Sequence, residues 1–380
     1  DDAIRTVAAD MLKSWNNPQQ TNTVNGRWRP LPKREVQGLD EAVKPHLPGM
    51  LAGPKEVRQT AIEVAAMLGL KEVIPALEEM LEDDATEEKT RVAAFKALAN
   101  LDADIDMLLN KGRGDMSEAI RVASLELLAD RRPDDAVPAL ESTLENGSVK
   151  AKQTALRLLG EINSPPAVEV LVATFEAYNE GMLPKAVTLD LLLAAESAGG
   201  EKLQKMVNNF RMDQKMAGTK VAEWNECLEG GDAGRGYTVF FGRAAASCRR
   251  CHKVNGDGAD VGPDLSAVAK DKDRTYLLEA IVDPNAKIAK GFETTIIVDI
   301  DGRIHSGIIK EETPDVVKLM TPKGAIITVA TKDIDERAKG QSGMPSDITK
   351  GLSREDIRDL VEYLAGLKVA KDGSHGKEGE

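Results

Sequence analysis

The chain has 380 residues, 42% of them hydrophobic and 30% charged, which suffices for two or three domains with real cores. Its 63 acidic against 50 basic side chains leave a net charge of −13, which argues against nucleic acid or an anionic membrane surface as partner. No apolar run approaches the length of a membrane span, and aromatics, at 3%, are so scarce that the cores fall to Ala, Leu, Val and Ile.

Arg5 to Leu12 predicts a first helix. The stretch from Trp15 to Pro48, with Trp28, Pro30, Pro32 and Pro45, then breaks the pattern. It is expected to be a loop covering the first repeat, with a partner-docking insertion over residues 16–48 as the alternative. Beyond it the chain repeats itself. Segments 58–68, 91–98, 121–128, 152–159 and 185–192 align, with Ala61, Ala94, Ser124, Ala155 and Thr188 at the equivalent small position. The period is about 30–33 residues. Between the copies lie second helices with proline near their expected starts, at 73–81 (Pro75) and 136–141 (Pro138). Each repeat is thus a helical pair, and the small residues let neighbouring helices approach closely. The pattern resembles HEAT repeats and covers roughly residues 50–210; its apolar positions are packing, with no chemistry assigned. Residues 200–229 read as helical and end at Gly230-Gly231-Asp232, the expected domain boundary, with Asp232 as N-cap of the next helix. The acidic excess lies before this point, since residues 230–370 are nearly balanced in charge.

Cys248-Arg249-Arg250-Cys251-His252 reads C-x-x-C-H. Two thiols at this spacing, followed at once by an imidazole, suit covalent attachment of a c-type haem: each sulfur adds across a vinyl group and the histidine takes the proximal face of the iron. A thioredoxin-like redox pair would need a βαβ context, whereas residues 236–246 read as a helix running into a loop. Zinc would need four ligands, and only Cys227, His46, His305 and His375 remain, at no ligand-like spacing. With two of three cysteines committed to haem, Cys227 is left unpaired and reads as a small buried hydrophobe. Haem c is attached outside the cytoplasm, so the expected location is periplasmic or extracytoplasmic. The chain opens on Asp1 without a visible signal peptide, as a processed protein or an excised fragment would.

From residue 233 onward the order of features resembles a class I cytochrome c: a first helix with Gly236, Tyr237 and Phe240, then the haem string, then Gly262-Pro263, and a last helix over 353–368 with Ile357, Leu360, Val361, Tyr363 and Leu364. The resemblance implies that the two helices cross closely at the glycine. It also implies that the Pro263 carbonyl accepts the proton on the non-ligating nitrogen of His252. Ser353 to Asp356 reads as a capping box. Between Phe292 and Arg337 the pattern changes to strands at 294–300, 303–309, 315–320 and 325–330, an antiparallel insertion. Candidates for the sixth iron ligand are Met344, Met320 and His305, or an open position. Met320 and His305 sit in strands, whereas Met344 lies in Ser342-Gly343-Met344-Pro345, the place before the last helix where cytochromes of this class carry their axial methionine.

Taken with 254–256, 261–265, 281–285, 291–294 and 359–364, these motifs resemble the haem-binding cytochrome c domain common in planctomycetes and verrucomicrobia. In that family such domains often follow HEAT-like repeats at the C-terminus of large extracytoplasmic dehydrogenases, whose catalytic part is a propeller similar to quinoprotein sugar dehydrogenases. The expected fold is therefore mainly α: a HEAT-like α-solenoid over 1–229, a class I cytochrome c domain over 230–370 with an antiparallel β insertion at about 292–337, and a disordered tail over 371–380. The implied cofactor is one covalent haem c held by Cys248, Cys251, His252, Pro263 and Met344, with His252 and Met344 on the iron. The implied role is electron transfer, not catalysis by the chain itself, with a dehydrogenase as donor and a cytochrome or oxidase as acceptor. Arg249, Arg250, Lys253, Lys270 and Lys272 could steer an acidic partner or be plain solvated surface. The competing readings are a haem enzyme or gas or redox sensor with a labile distal ligand, and a protein-binding platform with the cytochrome as cargo.

Overall fold

The computed structural model describes residues 2–18, 31–243, 246 and 248–369. The chain divides into two compact units, residues 1–146 and 147–380.

The first unit runs α1 (Asp2–Lys13), α2 (Leu39–Val43), α3 (Leu47–Leu51), α4 (Lys55–Met67), α5 (Ile74–Glu82), α6 (Glu88–Asn100), α7 (Ile105–Gly114), α8 (Glu118–Arg131) and α9 (Pro133–Asn146). Helices α4, α6 and α8 carry the aligned segments, and Ala61, Ala94 and Ser124 are all buried. Gly112 of α7 shows why these positions stay small: a Cβ there would lie 2.2 Å from that of Ser124 on α8. Pro75 sits in the first turn of α5, as expected. Pro138 instead falls inside α9, because the helix begins earlier, at Pro133.

Part of the expected covering loop is helical and buried. Val43, Leu47 and Leu51 from α2 and α3 join Ile62, Leu77, Phe95, Leu98 and Ile120 in one core. The start of the interruption is tied to its middle: the Trp15 indole donates to the Glu35 carbonyl at 3.1 Å, and Arg34 lies over the Trp15 ring. Residues 19–30, with Trp28 and Pro30, lie outside the described residues, as does the tail over 371–380.

The second unit begins with α10 (Val149–Ile162), α11 (Pro165–Asn179), α12 (Thr188–Ala198) and α13 (Glu201–Met216). Gly160 of α10 faces α12 so closely that a Cβ would lie 2.8 Å from Ala194 Cα. There follow α14 (Ala233–Gly242), a hairpin of β1 (Lys253–Val254) and β2 (Asp257–Gly258), α15 (Arg274–Val282), five strands, and α16 (Arg354–Ala365). The strands are β3 (Thr294–Asp299), β4 (Ile304–Glu312), β5 (Val316–Met320), β6 (Ile326–Ala330) and β7 (Ile334–Lys339). They form one antiparallel sheet in the order β6-β5-β4-β3-β7, whose inner face buries Ile297, Val317, Leu319 and Val329. The first four strands are those the alternation predicts; β7 is an addition. The architecture is mainly α, helical-pair repeats followed by a helical domain with an antiparallel insertion, as the sequence implies.

Candidate haem-binding site

Two helices frame the site. Asp232 caps α14 by accepting from Arg235 N at 2.8 Å, and Ser353 and Asp356 form a reciprocal capping box at the start of α16. The helices cross at Gly236, where a Cβ would stand 2.0 Å from the Asp359 carbonyl oxygen. Arg235 pairs with Asp359 through Nε at 2.6 Å and Nη2 at 3.1 Å, and Asp232 N donates to the same carboxylate at 2.7 Å. Beside the crossing, Tyr363 meets Tyr237 edge-on at 5.7 Å between centroids and Phe240 at 5.8 Å. Val239, Phe240, Leu277, Leu278, Ile281, Ile357, Leu360 and Val361 make the core, and Cys248 packs against it.

The haem string follows as a single 3-10 turn, Cys248–Arg250, closed by Cys251 N donating to the Cys248 carbonyl at 3.1 Å, with His252 N donating to the same carbonyl at 2.9 Å. The chain then reverses through β1 and β2 around Asn255 and Gly256, both with positive φ. This reversal returns Gly262-Pro263 to the histidine. Gly262 N donates to the Cys251 carbonyl, and His252 Nδ1 lies 2.9 Å from the Pro263 carbonyl. A carbonyl can only accept, so Nδ1 carries the proton and Nε2 keeps its lone pair. Burial holds the imidazole pKa below its ordinary value, the Pro263 bond opposing in part. Gly262 lies flat on the ring: a Cβ would be 2.8 Å from Cε1 and 2.9 Å from Nδ1.

These features test the fit of a haem. His252 presents a neutral ring whose Nε2 is available as an axial donor, oriented through its other nitrogen. Cys248 and Cys251 are unpaired and half-buried. Burial pushes the Cys248 thiol up to about 11, the reverse of the lowered value that marks a reactive redox cysteine. Among the described residues no group of three or more His, Cys, Asp or Glu side chains is arranged to hold a single metal ion, which leaves a zinc site without its ligand set. Thioether attachment fits the two cysteines better than either alternative.

Met344 is half-buried in the loop between β7 and α16, and its N–H donates to Ser342 Oγ at 3.2 Å. Met320 is buried at the end of β5. His305 pairs with Asp299 at 2.9 Å, within the same sheet. Of the cations considered for steering, Lys253 is tied to Asp260 and Lys272 lies over the Tyr276 ring, whereas Arg249, Arg250 and Lys270 are exposed. The sequence placed Gly262 and Asn285 in motifs but did not show their contacts: Gly262 lies against the imidazole, and Asn285 accepts from Ser342 N at 2.8 Å. For Gly262, its place directly before Pro263 was the available signal.

Comparison with known families agrees with this arrangement. The HEAT repeats family matches residues 105–181, and the cytochrome c family matches residues 234–318. The second match spans α14, the haem string and Pro263, and ends before Met344 and α16. Among curated proteins none matches the chain. A cytochrome c domain carries covalently bound haem c, so the chain combines a haem electron-transfer domain with a repeat scaffold. No helix among the described residues is long and apolar enough to cross a membrane.

Proposed function

We propose that the chain is a single-haem c-type cytochrome that takes one electron from a dehydrogenase and gives it to a second redox protein outside the cytoplasm. Cys248 and Cys251 would hold the haem and His252 and Met344 would bind its iron, His252 through Nε2, while the Pro263 carbonyl fixes the imidazole. Haem c, when bound, contributes a one-electron couple, and thioether ligation raises its potential relative to a second histidine. The protein's own part is orientation and packing. The Pro263 bond sets the tautomer of His252, and the core that includes Phe240 and Tyr363 packs against Cys248 on one side.

The observation that carries this reading is the His252 Nδ1 contact to Pro263 beside two unpaired cysteines in a domain matched as cytochrome c. For the donor, support is the resemblance to domains that follow HEAT-like repeats in extracytoplasmic quinoprotein-like sugar or alcohol dehydrogenases of planctomycetes. The domain division taken forward is 1–229 for repeats and 230–370 for the cytochrome.

Visible absorption of the purified holoprotein, oxidised and reduced, tests it. Low-spin ferric haem with the weak far-red band of a bound thioether, lost in Met344→Ala, is the expected result. A high-spin ferric spectrum in the wild type would mean an open position, and the reading would yield to a ligand-binding sensor or enzyme.

A further inference from the structure

The five-stranded sheet contains neither the haem string nor Met344, yet it interrupts a small haem domain just before the loop that bears Met344. Strand β7 runs directly into Gly340-Gln341-Ser342-Gly343-Met344. That loop is held at three points. Gly340 N donates to the Thr294 carbonyl at 2.9 Å, and Thr294 Oγ1 donates to the Gln341 carbonyl, so the first residue of β3 grips two successive loop residues. Gly340 sits so close over Thr294 that a Cβ would meet Oγ1 at 2.3 Å. On the other side Ser342 N donates to Asn285 Oδ1 at 2.8 Å, from the turn after α15. Ser342 Oγ in turn accepts from Met344 N at 3.2 Å. The chain of bonds therefore runs from Asn285, in the turn after α15, through Ser342 to the backbone of Met344.

We infer that Asn285, Thr294 and Ser342 are positioning residues for Met344, and that the sheet serves the haem site as the mount of its distal loop. The inference rests on the reading of Met344 as an iron ligand. Asn285 is exposed and Thr294 buried, so the first bond is reachable by solvent and the second is not. Loss of either releases the loop without touching the haem attachment or the His252 side.

The test is imidazole binding to the ferric holoprotein, because imidazole must displace Met344 to reach the iron. Asn285→Ala, Ser342→Ala and Thr294→Val are each expected to raise imidazole affinity about three- to tenfold, the effect of one modest hydrogen bond. The far-red band should weaken in parallel. Asn285→Asp keeps an acceptor and is expected to restore the wild-type affinity, a rescue that general destabilisation would not show. Ser342→Ala, a small surface-loop change, covers the case in which Asn285→Ala fails to fold. If these variants bind imidazole as the wild type does while Met344→Ala binds far more tightly, the positioning role is overturned and the ligand reading stands. If Met344→Ala itself leaves spectrum and affinity unchanged, the ligand reading fails and the inference falls with it.

Discussion

His252 is defined by backbone, not by charged neighbours. The Pro263 carbonyl fixes its tautomer, Gly262 lies under its ring, and Gly258, at φ 115°, leaves room beside its carbonyl where a Cβ would come within 2.1 Å. Gly262→Ala must therefore push the ring or the Gly-Pro segment. We expect a lower yield of holoprotein and a larger high-spin fraction in the ferric spectrum. Asp232 offers a different residue-scale prediction. Its bond from Arg235 N, the main influence, holds its carboxyl below the ordinary value of 3.8, with burial opposing. A depressed folded value means stability that is present above the unfolded pKa and lost as pH falls through the folded one. Asp232→Ala should cost about 1 kcal/mol at neutral pH. Asp232→Asn keeps the cap and should be nearly neutral there, while removing this share of the acid sensitivity; urea titrations at pH 7 and pH 3 separate the two. The C-x-x-C-H string was legible because its chemistry needs neighbours in sequence. Asn285 and Ser342, 57 residues apart, were not, since only the fold brings them together.

At the scale of elements, the α14–α16 crossing sets how the haem domain closes. Alanine in an open helix is better than glycine by about 1 kcal/mol. At Gly236, however, the added Cβ would meet the Asp359 backbone at 2.0 and 2.6 Å and Tyr363 Cβ at 2.7 Å, and backbone cannot turn aside. The clash should win: Gly236→Ala is expected to cost about 1–3 kcal/mol, read as a lower Tm of the holoprotein. A Tm equal to wild type or above it would show that the helices have room to separate. The helices themselves were readable from period and caps, because their apolar faces are buried. Strands β3 to β5 were readable for the same reason, each placing apolar side chains on the inner face. Strand β7 was not, because Ile334-Asp335-Glu336-Arg337-Ala338-Lys339 is exposed almost throughout and pairs at the sheet edge with β3. Charged edge strands carry no alternation to read, although they suit an edge that must not recruit another chain. The short helices α2 and α3 were missed because prolines at 45 and 48 suggested loop, whereas they open new turns in which Leu47 and Leu51 reach the core.

On the scale of the whole molecule, the second compact unit contains repeat helices α10 to α13 and the haem domain together, and buried polar groups join them. Gln153 of α10 donates to the Ala186 and Gly230 carbonyls, at 2.9 and 2.8 Å. Glu226, 3% exposed, receives Arg211 of α13 and Arg354 of α16, and Arg358 of α16 reaches Asp190 of α12 at 2.6 Å. The repeats therefore hold the haem domain through its last helix instead of trailing it on a free linker. Burial, the largest influence on Asp190, raises its pKa, and Arg358 offsets this only in part. The pair thus bears a desolvation cost that its attraction does not fully return, and the buried Arg358 Nε finds no acceptor among the described residues. Two opposite outcomes follow from that balance. Asp190→Ala leaves a buried guanidinium uncompensated and should cost about 3–5 kcal/mol, whereas Asp190→Leu with Arg358→Met should come close to neutral. A raised folded value also means stability present below the unfolded aspartate pKa and lost as pH rises through the folded one, so the double variant should gain on the wild type across that interval. Thermal unfolding followed both by far-ultraviolet dichroism and by the haem Soret band measures all three proteins. Because Asp190 lies in the repeats and the Soret band reports the haem, a Soret transition that stays put in Asp190→Ala while the helical signal moves would show that repeats and cytochrome melt separately.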